Sequence, residues 1–261
     1  MAADERVQIQ NVRFLNIDTC RAMEILDALT EDDKARTVGF INAHCVNVAR
    51  NDPDYRRIIN DFDEVLPDGA GLDIAARFKG IKIKENLNGT DFSFHVFELF
   101  AKRKKAVFLL GGHPGVAERA GKVLSKAHQG LIVCGWTHGY DTDKRDAEIC
   151  ETIWGASPDV ILVSMGTPIQ EKWIEAHKNF FGKKLFVSVG GLLDFIAGVY
   201  PRAPLWLRKI KMEWFFRLCF NPKQLWKRYL IGNQVFLFHA LQEALEEKKE
   251  HKRTNSAGAP E

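Results

Sequence analysis

The feature that most constrains the fold is a series of short apolar runs between residues 37 and 195, separated by segments with helical periodicity. The runs are about as long as buried strands, and most of them end in glycine. They read TVGFINAHCV, AVFLLGG, GLIVCGW, DVILVSMG and LFVSVGG. The intervening segments repeat apolar residues at spacings of three and four, which is typical of amphipathic helices. The pattern predicts an α/β fold, a Rossmann-like parallel sheet sandwiched by helices.

The segments on either side of this alternation carry their own signals. VQIQNVRFLNI predicts a pair of strands, and TCRAMEILDAL predicts a helix. Beyond PRAP at 201–204, Asn221-Pro222 is typical of a helix start, and Gly232-Asn233 predicts an interruption. We therefore expect an α/β core over 1–200, a basic aromatic helical appendage over 201–250 and a disordered tail over 251–261.

Several classes of protein are disfavoured by composition. The 5 cysteines are scattered without a CxxC pair, so neither a disulfide framework nor a zinc site is indicated, and a reducing, cytoplasmic setting is favoured. The polar start MAADERVQIQ is unlike a secretory signal. The most apolar stretch, residues 185–200, contains Asp194 and three glycines and is shorter than the roughly 20 residues needed to cross a bilayer.

Charge is unevenly distributed along the chain. The net charge is +3, but residues 201–230 hold eight basic residues and one acidic residue, so this segment is +7 and the remainder −4. Aromatic residues are interleaved with these cations: Trp206, Trp214, Phe215, Phe216, Phe220, Trp226 and Tyr229. Rings and cations together favour a peripheral contact with an anionic membrane surface. The alternative is a helix that packs on the core with a solvated basic face, while nucleic-acid binding is disfavoured because no recognition motif is present.

The stretch LPDGAG at residues 66–71 places Asp68 in a strong turn sequence. Proline fixes φ, aspartate bonds its own backbone, and glycine accepts positive φ. A purely structural turn is therefore one interpretation. A proton acceptor for a substrate is the other.

Three predicted strands end in short turns that lead into helices, in FLLGGHPGVAERA, VSMGTPIQEKW and VSVGGLLDFIAG. Helix N-termini and glycine backbones suit a diphosphate, although ordinary tight turns would have the same composition. Neither GxGxxG nor GxxxxGK[ST] is present. In the second turn we expect Thr167 to cap the helix with Glu171, and Gln170 to bind a sugar hydroxyl or a uracil edge.

Metal and hydrolase chemistry have weaker support. The Asp-x-Asp pairs at 52 and 54, 61 and 63, and 141 and 143 could hold Mg²⁺ against a nucleotide diphosphate, but none directly closes an apolar strand. We expect His44, His113 and His138 to be structural or polar turn residues, because no HExxH or His-Cys grouping is present. The lack of GxSxG disfavours a serine hydrolase.

A set of motifs in order identifies a family resemblance. LPDGAG, NGTDF, FLLGGHPGVAERA, PDVILVSMGTPIQEKWI, SVGGLLDFIAG, RAPLWL, EWFFRL and KRYLIGN follow one another along the chain. Over about residues 8–238 the sequence resembles the WecG/TagA/CpsF glycosyltransferases, glycosyltransferase family 26. The resemblance implies an inverting hexosyltransferase that needs neither metal nor cofactor and works at the inner face of the bacterial inner membrane. It implies a UDP-sugar donor and an acceptor saccharide linked to undecaprenyl diphosphate, in cell-surface or exopolysaccharide synthesis.

The resemblance also implies roles for particular residues. Asp68 matches the proposed catalytic base, and Asn42 and Gln170 match active-site residues. The other predicted substrate-binding residues are Gly69, Asn86, Asp91, Gly111, Gly112, Glu171, Gly190, Gly191 and Asp194. The appendage is expected to dock on the membrane and help to close the site, with phosphate or membrane contacts from Arg202, Arg208, Arg217 and Arg228.

Two departures from the family pattern leave the donor sugar open. Many members carry Thr-x-Asn where this chain has Phe40-Ile41-Asn42, and Glu-Arg where it has Glu85-Asn86. Asparagine cannot replace the bidentate donor of an arginine. If that arginine helps to hold the diphosphate in the family, the hypothesis is that Arg202, Arg217 or Arg228 of the appendage substitutes for it. N-acetylmannosamine, a related uronic acid and glucose are all compatible, and homo-oligomerisation is open. The other functional classes are a dinucleotide-dependent oxidoreductase and a non-catalytic UDP-sugar-binding partner of a polysaccharide complex.

Overall fold

The computed structural model describes residues 5–201, 203–204, 207 and 213–257. It begins with the predicted antiparallel pair of strands, β1 (Arg6–Ile9) and β2 (Val12–Leu15). The six strands that follow are β3 (Arg36–Ile41), β4 (Glu64–Pro67), β5 (Ala106–Gly111), β6 (Ile132–Thr137), β7 (Val160–Ser164) and β8 (Leu185–Ser188). They form one parallel sheet in the order β4-β3-β8-β7-β5-β6, which confirms the predicted α/β class.

The sheet contains a strand that the apolar runs did not predict. Strand β4 is only 4 residues long and includes the charged residue Glu64. Glu64 is buried but pairs with Arg6, whose Nη2 lies 3.1 Å from the carboxylate. Because an ion pair neutralises this position, the strand need not be apolar throughout. Its end carries Asp68 to the carboxyl edge of the sheet.

Helices cover both faces of the sheet. They are α1 (Thr19–Thr30), α2 (Ala43–Asn51), α3 (Pro53–Asp61), α4 (Ala70–Phe78), α5 (Gly89–Lys102), α6 (Val116–Ala127), α7 (Thr142–Ala156), α8 (Ile169–Phe181) and α9 (Leu192–Ile196). Strand β5 shows why both faces need a cover, since Val107 and Leu109 join one buried cluster while Phe108 and Leu110 join another. All four side chains are fully buried. A strand apolar on both sides is typical of a sheet between two helical layers.

The C-terminal segment is helical, as predicted. It contains α10 (Glu213–Phe220), α11 (Pro222–Trp226), a π-helical stretch (Lys227–Gly232) and α12 (Asn233–Ala257). Pro222 occupies the first turn of α11, as expected. The prediction that Gly232-Asn233 interrupts the helix is wrong, because the π-helical stretch leads directly into α12 without a break. Glycine is accommodated here by a local change of helical pitch.

Helix α12 continues through residues 251–257, so helix extends into the segment for which the composition predicts a tail. Residues 258–261 lie outside the described part of the chain. Within the described residues, none of the helices has the length and apolar character that a membrane span requires.

Candidate active site

The carboxyl ends of the six parallel strands open into one large cavity. Its volume is about 1330 Å³, and its wall includes Asn42 after β3, Asp68 after β4, Gly112 after β5, Ser164 at the end of β7 and Gly190 after β8. Parallel sheets place ligands in this crevice because their loops and helix N-termini converge at the same edge. The C-terminal helices form the opposite wall through residues that include Trp214, Phe216, Leu225, Arg228 and Phe236.

Asp68 is held in a defined turn at the cavity wall. Its backbone N–H donates to the Ile41 carbonyl at 2.7 Å and so extends the pairing of β3 with β4 by one residue. Gly69 has a backbone φ of 103°, which residues with a side chain rarely adopt. The Gly69 N–H donates to Asn86 Oδ1 at 2.7 Å. The half-buried Asp68 side chain therefore sits on a backbone fixed from both sides.

Asn42 has a structural task as well as a place in the cavity wall. It is the N-cap of α2, where its Oδ1 accepts the N–H groups of His44 at 3.0 Å and Cys45 at 3.3 Å. Asparagine is a favoured N-cap because this oxygen satisfies helix N–H groups that otherwise have no partner. Any polar contact of Asn42 with a substrate would therefore come from the amide nitrogen.

The turn after β5 requires close backbone packing. A Cβ atom built on Gly111 would lie 2.1 Å from the Ser164 carbonyl oxygen of neighbouring β7. Glycine at this position lets β5 and β7 end side by side, and the Gly112 N–H donates to the same carbonyl at 3.0 Å. Gly111 therefore supports the wall, whereas Gly112 lines the cavity.

A buried polar network lies beneath the floor of the cavity. The Gln170 side chain donates to Glu171 Oε1 at 2.7 Å and accepts the Gly190 N–H at 3.0 Å. Glu171 Oε1 also accepts the Thr167 hydroxyl at 3.1 Å. Burial raises the pKa of the Glu171 carboxyl, although hydrogen bonds from Gln170, its own backbone and Thr167 oppose the shift.

This network corrects one prediction and refines another. The sequence predicts that Thr167 caps α8, but its hydroxyl binds the Glu171 side chain, and residue 168 occupies the N-cap position without a side-chain cap. Gln170 and Glu171 lie in the first turn of α8. Gln170 is only 2% exposed, so its best-defined contact is with the turn after β8.

An aromatic pair borders the same cavity beyond β5 and β6. The rings of His113 and Tyr140 stack with centroids 3.9 Å apart, and the Tyr140 hydroxyl lies 2.6 Å from His113 Nε2. Tyr140 is 46% exposed, so one face of the ring remains open. Asp194 also lines the cavity, and burial raises the pKa of its carboxyl.

The appendage side contributes a cation. Arg228 lines the cavity, and its Nε is buried without a hydrogen-bond partner among the described residues. His44 is also in the wall, and burial together with the charge of Arg228 lowers the pKa of its imidazole to about 4. His44 is therefore neutral at physiological pH, so it does not add a second positive charge beside Arg228.

The structure brings most of the predicted site residues together. Those that line the cavity are Asn42, Asp68, Gly69, Asn86, Asp91, Gly112, Gln170, Gly190, Gly191, Asp194 and Arg228. Gly111 and Glu171 lie behind this wall. Arg202 and Arg208 fall outside the described residues, as does the side chain of Arg217. Sequence reasoning missed His113 and Tyr140 as a pair because they follow different strands, and the only available signal was their position after β5 and β6.

The three Asp-x-Asp pairs have different surroundings. Asp52 caps α3 and binds Lys172 Nζ at 2.7 Å, while Asp63 accepts the Thr37 N–H at 2.8 Å. These two positions are already used in the fold. Asp141 and Asp143 line the cavity at the start of α7, so this pair is the one placed to meet a substrate.

Comparison with known proteins identifies the family. The model of the glycosyl transferase WecG/TagA/CpsF family matches residues 7–250. The chain belongs to this family. It is 28% identical over 223 residues to an N-acetylglucosaminyldiphosphoundecaprenol N-acetyl-beta-D-mannosaminyltransferase of Bacillus subtilis, a match that covers 85% of this chain and 86% of the relative. An enzyme of the same name from Staphylococcus aureus (strain MRSA252) is 29% identical over 225 residues, with the same two coverages.

Membership of the WecG/TagA/CpsF family confirms the predicted resemblance and identifies the chain as a glycosyltransferase. The acceptor for which both relatives are named is a sugar joined to undecaprenol through a diphosphate.

Proposed function

We propose that this protein transfers a hexose-type sugar from a UDP-sugar to a saccharide linked to undecaprenyl diphosphate, with inversion at the anomeric carbon. Asp68 is the general base, and the reaction needs no metal ion. The observation that carries the proposal is the position of Asp68 at the wall of a cavity that the glycine-containing turns after β5 and β8 also line. The family match and the activity for which the relatives are named support the reaction class.

The chemistry is a single displacement. A hydroxyl oxygen of the acceptor forms the new bond to the anomeric carbon, while the bond from that carbon to the UDP oxygen breaks on the opposite face. Asp68 accepts the hydroxyl proton as the nucleophile attacks. The turn geometry supports this role, because Ile41 and Asn86 fix the backbone on either side of the carboxylate.

The departing diphosphate gains negative charge, which this cavity can stabilise without a metal. Arg228 offers a buried guanidinium N–H that has no protein partner among the described residues. The N–H groups at the start of α6 and of Gly191 lie at the same strand ends. Donors placed where charge develops lower the transition state more than the ground state.

The nucleoside of the donor is assigned to the wall beyond β5 and β6. The open face of Tyr140 provides a flat surface on which uracil can stack, and His113 supports that ring from behind. Asp194 offers a carboxyl group to the same region. Gln170 is buried, and its side chain accepts the Gly190 N–H. Its role is therefore to position the turn at Gly190, and it does not bind the sugar directly.

The acceptor arrives from a membrane surface in this proposal. Exposed apolar side chains cluster on the C-terminal helices, among them Phe220, Trp226, Leu230 and Ile231. Lys223 and Lys227 are exposed beside them, and each cation near an anionic surface contributes about 1 kcal/mol. Docking through this face would bring the open wall of the cavity to lipid-linked acceptors and raise their effective concentration.

The test is Asp68→Asn measured beside Asp61→Asn. Asp61 is an exposed aspartate on α3 that pairs with Arg57, so its variant controls for loss of one carboxylate. General-base catalysis contributes about 10²–10⁴-fold, so turnover by Asp68→Asn should fall by that factor while UDP binding persists. Turnover within about threefold of wild type, with UDP binding intact, would remove Asp68 from the base role.

A panel of UDP-sugars offered with lipid-linked acceptors, read by mass spectrometry, identifies the donor. Asn86 is exposed at the cavity wall, and its Oδ1 accepts the Gly69 N–H, so its amide nitrogen is the group with which it could donate to a sugar. Turnover with NAD(H) chemistry in place of sugar transfer would instead support the oxidoreductase class. Binding of UDP-sugars without any transfer would support the non-catalytic binding class.

A further inference from the structure

Helices α7 and α8 bring three potential metal ligands together outside the cavity. Asp146 and Cys150 are one turn apart on α7, and His177 faces them from α8. One ligand atom from each residue lies within 4.8 Å of the other two. The sequence does not reveal this grouping, because the cysteine and the histidine belong to different helices.

Trp173 orients two of the three ligands. Its indole N–H donates to Asp146 Oδ1 at 3.0 Å, and its carbonyl accepts the His177 Nδ1–H at 2.8 Å. Its ring also stacks on the His177 ring, with centroids 4.4 Å apart and an interplanar angle of 20°. Metal-binding histidines and carboxylates are usually held in this way by outer partners, which fix the ring tautomer and the direction of the lone pairs.

The hydrogen bonds from and to Trp173 leave His177 Nε2 and Asp146 Oδ2 facing one another. Because Nδ1 of His177 donates to a carbonyl, the neutral ring carries its lone pair on Nε2. That nitrogen lies 2.9 Å from Asp146 Oδ2, so the imidazole and the carboxylate direct ligand atoms toward the same point. The Cys150 sulfur lies within 4.8 Å of both atoms, so one metal ion could be bound by all three residues.

The ligand types select the metal. One nitrogen, one sulfur and one oxygen are typical of Zn²⁺, whereas Mg²⁺ and Ca²⁺ prefer sites made of oxygen alone. Ligand atoms around tetrahedral zinc are about 3.3–3.7 Å apart, given zinc–ligand bonds of about 2.0–2.3 Å, so small rotations of these side chains are sufficient. The Asp146 side chain is 44% exposed, which leaves a fourth position open to water.

We propose that Asp146, Cys150 and His177 bind one Zn²⁺ ion that joins α7 to α8. Among the described residues of the cavity wall, none belongs to this trio, so the site is distinct from the proposed catalytic centre. Both helices nevertheless begin at the cavity, α7 beside Asp141 and α8 beside Gln170. The ion therefore joins the two helices away from the cavity wall and takes no part in sugar transfer.

The test is titration of metal-free full-length protein with zinc alone, followed by calorimetry, and with cobalt, followed by absorption. We expect one zinc per chain. Cobalt should give the near-ultraviolet band of a thiolate–cobalt bond and visible bands of tetrahedral intensity. The cobalt spectrum needs no variant, so it tests the site even if a substitution impairs folding.

The variants assign the ligands. Cys150→Ser should abolish the thiolate band, while Cys20→Ser, which changes an exposed cysteine on α1, should retain it. Trp173→Phe removes the indole donor and should weaken zinc binding about 10–100-fold, provided that circular dichroism shows the variant folded. His177→Gln should weaken binding at least as much.

Three results would overturn the proposal: no stoichiometric zinc binding by the wild-type chain, a cobalt spectrum without a thiolate band, or a band that survives Cys150→Ser.

Discussion

Replacing Glu171 with glutamine is expected to leave the free energy of unfolding nearly unchanged near pH 5 and to raise it relative to wild type as the pH increases. Glu171 is fully buried, and burial raises the pKa of its carboxyl, so the folded protein holds this side chain in the protonated form above the usual pKa of glutamic acid. Glutamine reproduces that neutral group. Its oxygen can accept from Gln170 and Thr167 as Glu171 Oε1 does.

The size of the change in the free energy of unfolding distinguishes an ionised Glu171 from a protonated one. If Glu171 were ionised, the variant would exchange two hydrogen bonds to a charged acceptor, each worth about 1.5–3 kcal/mol, for two bonds to a neutral acceptor, each worth about 0.5–1.5 kcal/mol, and would lose about 2–3 kcal/mol in total. If Glu171 is protonated, one neutral donor replaces another, and the change is below about 1 kcal/mol.

The sign with pH follows from the raised pKa. The stability that Glu171 contributes is fully present below the pKa of the unfolded state and is lost as the pH rises through the higher pKa of the folded state. Glutamine has no such dependence.

The assay is urea unfolding of the wild type and Glu171→Gln at several pH values between about pH 5 and about pH 8. The free energies of unfolding of the two proteins should diverge as the pH rises, because only the wild type has an ionisable group at this position. Glu118→Gln is the matched control, because Glu118 is a partly exposed glutamate whose pKa is lowered by Lys122. Loss of the Glu118 carboxylate should change the pH dependence of the free energy of unfolding only weakly, and in the direction opposite to that of Glu171→Gln. A cost of about 2 kcal/mol or more for Glu171→Gln at every pH would refute the protonated carboxyl.

Three further predictions concern the cavity and the membrane face. Chelation with EDTA should leave sugar transfer intact, and strict dependence on added Mg²⁺ or Mn²⁺ would instead assign Asp141 and Asp143 to a catalytic metal. The pKa of His44 is lowered from 6.5 to about 4, so its stabilising contribution is present above pH 6.5 and declines as the pH falls toward 4. His44→Gln should remove about 2 kcal/mol of that decline, after discounting for partial exposure, and an unchanged acid limb of urea stability would contradict this. Combined Trp226→Ser and Ile231→Ser should reduce co-sedimentation with anionic vesicles while circular dichroism stays unchanged, and undiminished binding would refute docking through these exposed side chains.

The sequence predicts the sheet well because an apolar run of strand length that ends in a glycine turn is typical of a buried parallel strand. Once the strands are parallel, their carboxyl ends must share an edge, and for this reason Asp68, Gly112 and Gly190 could be expected to face one cavity. Strand β4 was not predicted because Glu64 breaks its apolar pattern, and the burial of that charge depends on its pairing with Arg6 from β1.

Side-chain partnerships between distant segments could not be predicted from the sequence. The sequence predicts that Gln170 faces a substrate, but its binding to the Gly190 N–H depends on how α8 meets the turn after β8. The approach of His177 to Cys150 depends in the same way on the packing of α8 against α7. Local patterns specify helices and strands, whereas these contacts arise from the angle and register between them.

The C-terminal helix illustrates why the membrane prediction needs substitutions rather than truncation. Phe236 of α12 is fully buried in the core, and the Gln10 side chain donates to its carbonyl at 2.9 Å. Asn47 of α2 donates to the Gly232 carbonyl at 2.7 Å, at the end of the π-helical stretch. Removal of everything after residue 201 would therefore uncover core surface, and loss of a buried phenylalanine alone costs about 3–5 kcal/mol. Failure of such a fragment to bind vesicles could reflect unfolding, whereas exposed side chains such as Trp226 can be changed without uncovering the core.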